Sequence, residues 1–139
     1  MGMKEKVDYL LQEFKKWSDY QNQIKGVAIV GSFARGDFHS KSDVDLVIIS
    51  TNKEVTIQDI LSEFKYDVVN RHQLEQWGPF LTSLRIFYDN EIEVEYGVTT
   101  NVWVKEPLDK GTKEVVSNGF KILLDKESVF SGVNKYLNE

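Results

Sequence analysis

The stretch Val30–Ile49, VGSFARGDFHSKSDVDLVII, decides how this chain reads. It begins in one short apolar run, Val27–Val30, and ends in another, Leu46–Ile49. A run that is apolar at consecutive positions suits a central strand buried on both faces. Between the two lie Gly31-Ser32, then Ala34-Arg35-Gly36, then Ser42-Asp43-Val44-Asp45. Gly31 directly follows the first strand, where glycine lets the backbone turn sharply and leaves amides open to an anion. Ser32 adds a hydroxyl donor, and Arg35 can reach back as a cation. If Ser32–Ala34 open a helix, its N-terminus points at the same spot.

Asp43 and Asp45 are two residues apart on an extended segment, so their side chains share one face. Carboxylates that close repel each other and resist burial. A divalent cation relieves both problems, and Mg²⁺ favours a few carboxylates together with substrate phosphates. An Asp-x-Asp alone is usually a solvated loop, and a Gly-Ser turn alone says less still. The order of strand, Gly-Ser, Ala-Arg-Gly, Ser-Asp-x-Asp and buried strand is what makes the stretch specific.

Outward from it, Met3, Val7, Leu10, Leu11, Phe14 and Trp17 recur at helical spacing and predict an amphipathic first helix. Ile57, Ile60, Leu61 and Phe64 predict another, with Thr56 as its expected cap. Leu84–Tyr88 and Ile92–Val98 read as strands joined by a turn at Asp89-Asn90. The second alternates, with Ile92, Val94 and Tyr96 on one face and Glu91, Glu93 and Glu95 on the other. Thr112 is the expected cap of a short helix ended by Gly119; a last strand at Ile122–Leu124 and a closing helix from Val129 to Leu137 follow. Tyr66–Phe80 and Thr99–Thr112 carry no firm period. The expected fold is α/β (α+β): a mixed β-sheet flanked by helices.

The chain has 139 residues, which fits one domain, and enough length to bury a core. A net charge of −5 with no Lys/Arg block argues against bulk nucleic-acid binding, though a local basic groove is compatible with it. There is no cysteine, hence no disulfide framework and no thiolate metal site. No apolar run approaches the ~20 residues of a membrane span and no signal-peptide pattern opens the chain, so a cytoplasmic location is expected.

Gly31-Ser32, Ala34-Arg35-Gly36 and Ser42-Asp43-Val44-Asp45-Leu46 together resemble the nucleotidyltransferase superfamily that includes DNA polymerase β and the aminoglycoside nucleotidyltransferases. The motifs cover about 20 residues, and the element order extends the likeness over most of the chain. The resemblance implies a polymerase β-like fold and metal-dependent transfer of a nucleoside monophosphate from a triphosphate, ATP first among them, to a hydroxyl. It implies two Mg²⁺ ions, with Mn²⁺ as a substitute, on Asp43, Asp45 and a third carboxylate from a neighbouring strand.

Glu93 and Glu95 both offer that carboxylate, alone or together; Glu95 is favoured because Tyr96-Gly97 is expected to end the strand at an open edge. Gly31 and Ser32 would hold the β- and γ-phosphates, with Arg35, Lys41 and Ser42 as further nucleotide-binding candidates. Arg85 can pair with Glu93 or with phosphate. Trp77, Trp103 and Tyr96 could stack a base but fit a core equally well.

Larger members carry extra domains that grip the acceptor. Here the acceptor, a small molecule or a partner protein, would bind on this domain, across a homodimer or on a separate helical partner chain. A nucleotide- or partner-binding module without catalysis is the alternative.

Overall fold

The structure, a computed structural model, describes residues 2–139. Six strands form one mixed sheet: β1 (Ile24–Val30), β2 (Val44–Ser50), β3 (Val69–Trp77), β4 (Leu81–Tyr88), β5 (Glu93–Thr99) and β6 (Phe120–Asp125), in the order β3-β4-β5-β2-β1-β6. All neighbours are antiparallel except β2 and β5, which run parallel. The helices are α1 (Met3–Asp19), α2 (Ser32–Arg35), α3 (Lys53–Ser62), α4 (Lys110–Ser117) and α5 (Ser131–Leu137), with a 3₁₀ turn at Asn101–Val104.

Strand alternation divides the sheet into two unlike faces. On the first, Val7, Leu10 and Phe14 of α1 and Ile60 of α3 pack on Val27, Ile29, Leu46, Ile48, Leu84, Ile86, Val94 and Tyr96, all buried. Phe14 meets Phe64 edge-on at 5.0 Å and the Tyr96 ring at 5.2 Å. Each large apolar side chain buried here contributes about 1.5–3 kcal/mol. On the second face, Ala28, Val30, Val47 and Ile49 lie under Trp103, Val104, Val116, Phe130 and Val133. That cover is built on β1 and β2; further across, β4 and β5 present Ser83, Arg85, Glu93 and Glu95 on the same face. The double burial of β2 explains its apolar run, and the polar half of the second face is where a site can form.

Both expected caps are corrected. Asn52 caps α3, its side chain accepting from the Val55 amide at 3.1 Å, while Thr56 is buried inside the helix with its hydroxyl 2.7 Å from that of Ser50. Asp109 caps α4 through the Gly111 amide, and the Thr112 hydroxyl donates instead to the Trp103 carbonyl at 2.8 Å. Each threonine has a buried polar partner that draws it inward, so an acid or amide a few residues earlier takes the end of the helix. Strand β3, absent from the sequence reading, is exposed at all nine positions. With neither face covered, it has no reason to alternate. Among the described residues no helix is long and apolar enough to cross a membrane.

Candidate active site

Strand register assembles the acids. Val30 pairs with Asp45 across β1 and β2, and Asp45 pairs with Glu95 across the parallel β2–β5 ladder. Arg85 pairs with Glu95 across β4 and β5. Asp43, two residues before Asp45, falls on the same face. Asp43, Asp45 and Glu95 each present an oxygen within 4.8 Å of the others, a donor set that could hold a metal ion. Arg85 lies against them: its Nη1 donates to Asp43 Oδ2 at 2.7 Å and to Glu93 Oε2 at 3.1 Å, and its Nη2 to Glu95 Oε2 at 3.1 Å. Ser83 Oγ donates to the other Glu95 oxygen at 2.9 Å.

The electrostatics follow from that crowding. Burial, then the Asp43 charge and a hydrogen bond with Glu95, push the Asp45 carboxyl up to about 8, with Arg85 pulling the other way. Burial alone would lower the Arg85 pKa; the Asp43 hydrogen bond and the charges of Glu95, Glu93 and Asp43 outweigh it and raise it. A pH dependence is therefore expected of the metal-free protein. In the unfolded chain Asp45 loses its proton near pH 4, whereas the folded chain keeps it to about pH 8. Between those values the folded state binds the extra proton, so stability falls as pH rises, and levels off above about pH 8. Melting in chelator from pH 5 to 8.5 tests this: the midpoint should fall, and Asp45→Asn should flatten the slope.

Gly31 lies beside Asp45 with φ +72° and ψ −151°. A Cβ there would stand 2.6 Å from Asp45 Oδ2. Gly36 also has positive φ, +85°, but open space around it. Gly31→Ala should therefore lose about 1–3 kcal/mol and also displace the Asp45 carboxylate, shrinking the rise in melting temperature that Mn²⁺ produces. Gly36→Ala carries the backbone strain without the clash, so its Mn²⁺ response should match the wild type. Equal Mn²⁺ responses in both variants would refute the contact.

A cleft of about 570 Å³ opens from Gly31, Asp45, Arg85 and Glu95. One wall is Trp77, the β3–β4 turn at Gly78–Phe80 and Leu81; the other is Trp103 and one side of α4 from end to end.

The structure thus brings together Asp43, Asp45, Glu95 and Gly31. Glu93 reaches Arg85 and stands outside the trio. Ser32 opens the single turn of α2. Arg35 is tied to Asp37 at 3.0 Å and to the Asn118 carbonyl at 2.6 Å. Lys41 is exposed, and Ser42 closes a local turn by accepting from the His39 amide. Tyr96-Gly97 does not end the strand at an open edge, contrary to expectation: β5 runs on to Thr99 and lies between β4 and β2, so Gly97 is interior. Glu95 stands with the aspartates because it is level with Asp45. Tyr96 faces the first core with its hydroxyl 2.8 Å from that of Tyr88, and Trp103 is buried, while Trp77 is half exposed at the cleft. Ser83 carried no sequence signal beyond its place two residues before Arg85.

The chain belongs to the nucleotidyltransferase domain family, whose profile matches residues 7–123. No curated protein sequence matches it significantly. Among solved structures, it is similar to an aminoglycoside 6-adenyltransferase from Bacillus subtilis, at 12% identity and TM-score 0.50 over 68% of this chain and 35% of that one. At that identity the likeness is one of fold. A second is the GLD-2/RNP-8 complex, at 25% identity and TM-score 0.46 over 68% of this chain and 38% of that one. The chain thus spans little more than a third of the length of either.

Proposed function

We propose that this chain is a metal-dependent nucleotidyltransferase that moves a nucleoside monophosphate from a nucleoside triphosphate, ATP first among them, to a hydroxyl of a small molecule or a partner protein. The observation that carries the reading is the trio Asp43, Asp45 and Glu95 converging beside Gly31 at the head of a cleft. Divalent ions on these carboxylates, Mg²⁺ or Mn²⁺, would lower the pKa of the acceptor hydroxyl and steady the leaving pyrophosphate.

The chain's own residues do the rest. The positive-φ turn at Gly31 would set the backbone amides that hold the triphosphate, and the Ser32 hydroxyl would add a donor. Trp77 and Trp103 wall the cleft on either side of the remaining space. The acceptor oxygen forms its bond to the α-phosphorus as the bond to the β-phosphate bridging oxygen breaks. Glu95 would take the proton that the hydroxyl gives up. Arg85 and Ser83 fix the Glu95 carboxylate, so little reorganisation accompanies the reaction.

A second reading draws on one observation: Arg85 already ion-pairs with Asp43, Glu93 and Glu95, a resting counter-charge that a nucleotide- or partner-binding module would need without catalysis. Incubation with labelled ATP, Mg²⁺ or Mn²⁺ and a cell extract separates the two. Label transfer or pyrophosphate release that Asp43→Asn with Asp45→Asn abolishes supports the transferase. Saturable nucleotide binding with no turnover supports the module.

A further inference from the structure

Strand β3 ends the sheet and is paired on one side only, with β4. All nine of its residues are exposed, among them Leu74 at 56% and Trp77 at 52%. The opposite edge differs: β6 is part-buried at most positions. A long open edge presents a row of unpaired amide and carbonyl groups, a template for another strand, and soluble proteins usually shorten, cover or kink such edges. Pairing with β4 is regular from Arg71 to Trp77, so this part of the edge is straight.

The charges along it are complementary to those of its own reverse. About Gln73 as centre, an antiparallel copy of the strand sets Arg71 opposite the partner's Glu75, His72 opposite the partner's Leu74, and Gln73 opposite itself. Two-fold symmetry makes the Arg–Glu pair twice. Arg71, Gln73 and Glu75 are level with Phe87, Arg85 and Ser83 of β4, so all three project on the acid-bearing face. There the Arg71 guanidinium already lies 3.8 Å over the Phe87 ring, which fixes its side of the strand. Directly opposed residues of an antiparallel pair have Cβ atoms about 5 Å apart, close enough for an ion pair.

We propose that β3 is a self-complementary edge through which two copies of this chain pair antiparallel, joining their sheets into one across a two-fold axis. The occupant of the edge is a second copy because the charges match in that register and a C2 interface requires the same patch on both sides. Backbone hydrogen bonds supply the adhesion, and the two Arg71–Glu75 pairs set the register.

Sedimentation equilibrium and light scattering on the whole chain test the proposal through charge reversal at these two exposed positions. The wild type should weigh twice the monomer in the micromolar range. Arg71→Glu should set like charges against the partner's Glu75 and weaken the dimer at least tenfold, and Glu75→Arg should do the same against Arg71. The double variant Arg71→Glu with Glu75→Arg should regain the wild-type dissociation constant to within about threefold. Unchanged circular dichroism and melting would certify the fold of each variant. A wild type that stays monomeric to roughly 0.5 mM overturns the proposal and leaves the edge to some other strand. A dimer indifferent to the single reversals, or one that the double variant does not restore, overturns the register.

Discussion

Glu95→Gln should leave nucleotide affinity within about threefold of wild type and cut transfer on the order of 10²–10³-fold, whereas Glu93→Gln should change transfer by less than about threefold. The two glutamates are neighbours on one strand face with the same side chain, so only position distinguishes them. Glu95 is level with Asp45 and shares the metal-competent trio; Glu93 ends in an ion pair with Arg85. In the transferase reading, the triphosphate is gripped mainly around Gly31 and Ser32, so removing one charge from Glu95 spares the bound ground state. It removes a carboxylate where charge develops and a proton must be received, which lowers turnover rather than binding. Label transfer from ATP and equilibrium binding, measured on the same preparations, give the two numbers. Equal effects of the two substitutions on transfer would refute the assignment of the third carboxylate. Loss of binding in step with rate would give Glu95 a structural role only.

The Gly31–Asp45 stretch was legible because its pattern is local: a turn and two acids two residues apart, bounded by apolar runs. So were the strands around it, whose burial on one face or both shows directly as pattern. The third carboxylate was only half legible. Alternation put Glu93 and Glu95 on one face, but which of them meets Asp45 depends on the register of a parallel ladder between strands more than forty residues apart, and no local pattern encodes that. The helix caps failed for a related reason. Thr56 and Thr112 are good caps in isolation, but each faces a buried polar group that only the folded chain brings near. Strand β3 failed because the signal for a strand is one covered face, and β3 has none. Arg85 was recognised as an ion-pairing residue, yet its reach to Asp43, forty-two positions earlier in sequence, is a product of β4, β5 and β2 lying side by side.

Arg85→Gln should destabilise the metal-free protein by about 3 kcal/mol, because removing one partner of a largely buried charge cluster leaves the others uncompensated. The guanidinium touches Asp43, Glu93 and Glu95, and all four side chains are less than a third exposed, at 22%, 30%, 32% and 21% in that order from Arg85. That burial separates the cluster from a surface ion pair, whose loss would cost under about 1 kcal/mol. For a chain of this length, the fall in melting temperature should be on the order of 10 °C in chelator. Glutamine keeps the length and some hydrogen bonding of arginine, so the loss reports charge more than packing. Divalent metal then discriminates further. In the wild type an ion on this trio competes with the guanidinium for the carboxylates of Asp43 and Glu95; in the variant that competitor is gone, and the ion also supplies the missing positive charge. Mn²⁺ should therefore bind Arg85→Gln more tightly than wild type and raise its melting temperature by a larger step, closing most of the gap between them by mass action. A variant that melts like the wild type in chelator would mean that the carboxylates need no counter-charge at rest. One that is destabilised but indifferent to Mn²⁺ would mean that the acids Arg85 holds are not the acids that hold metal.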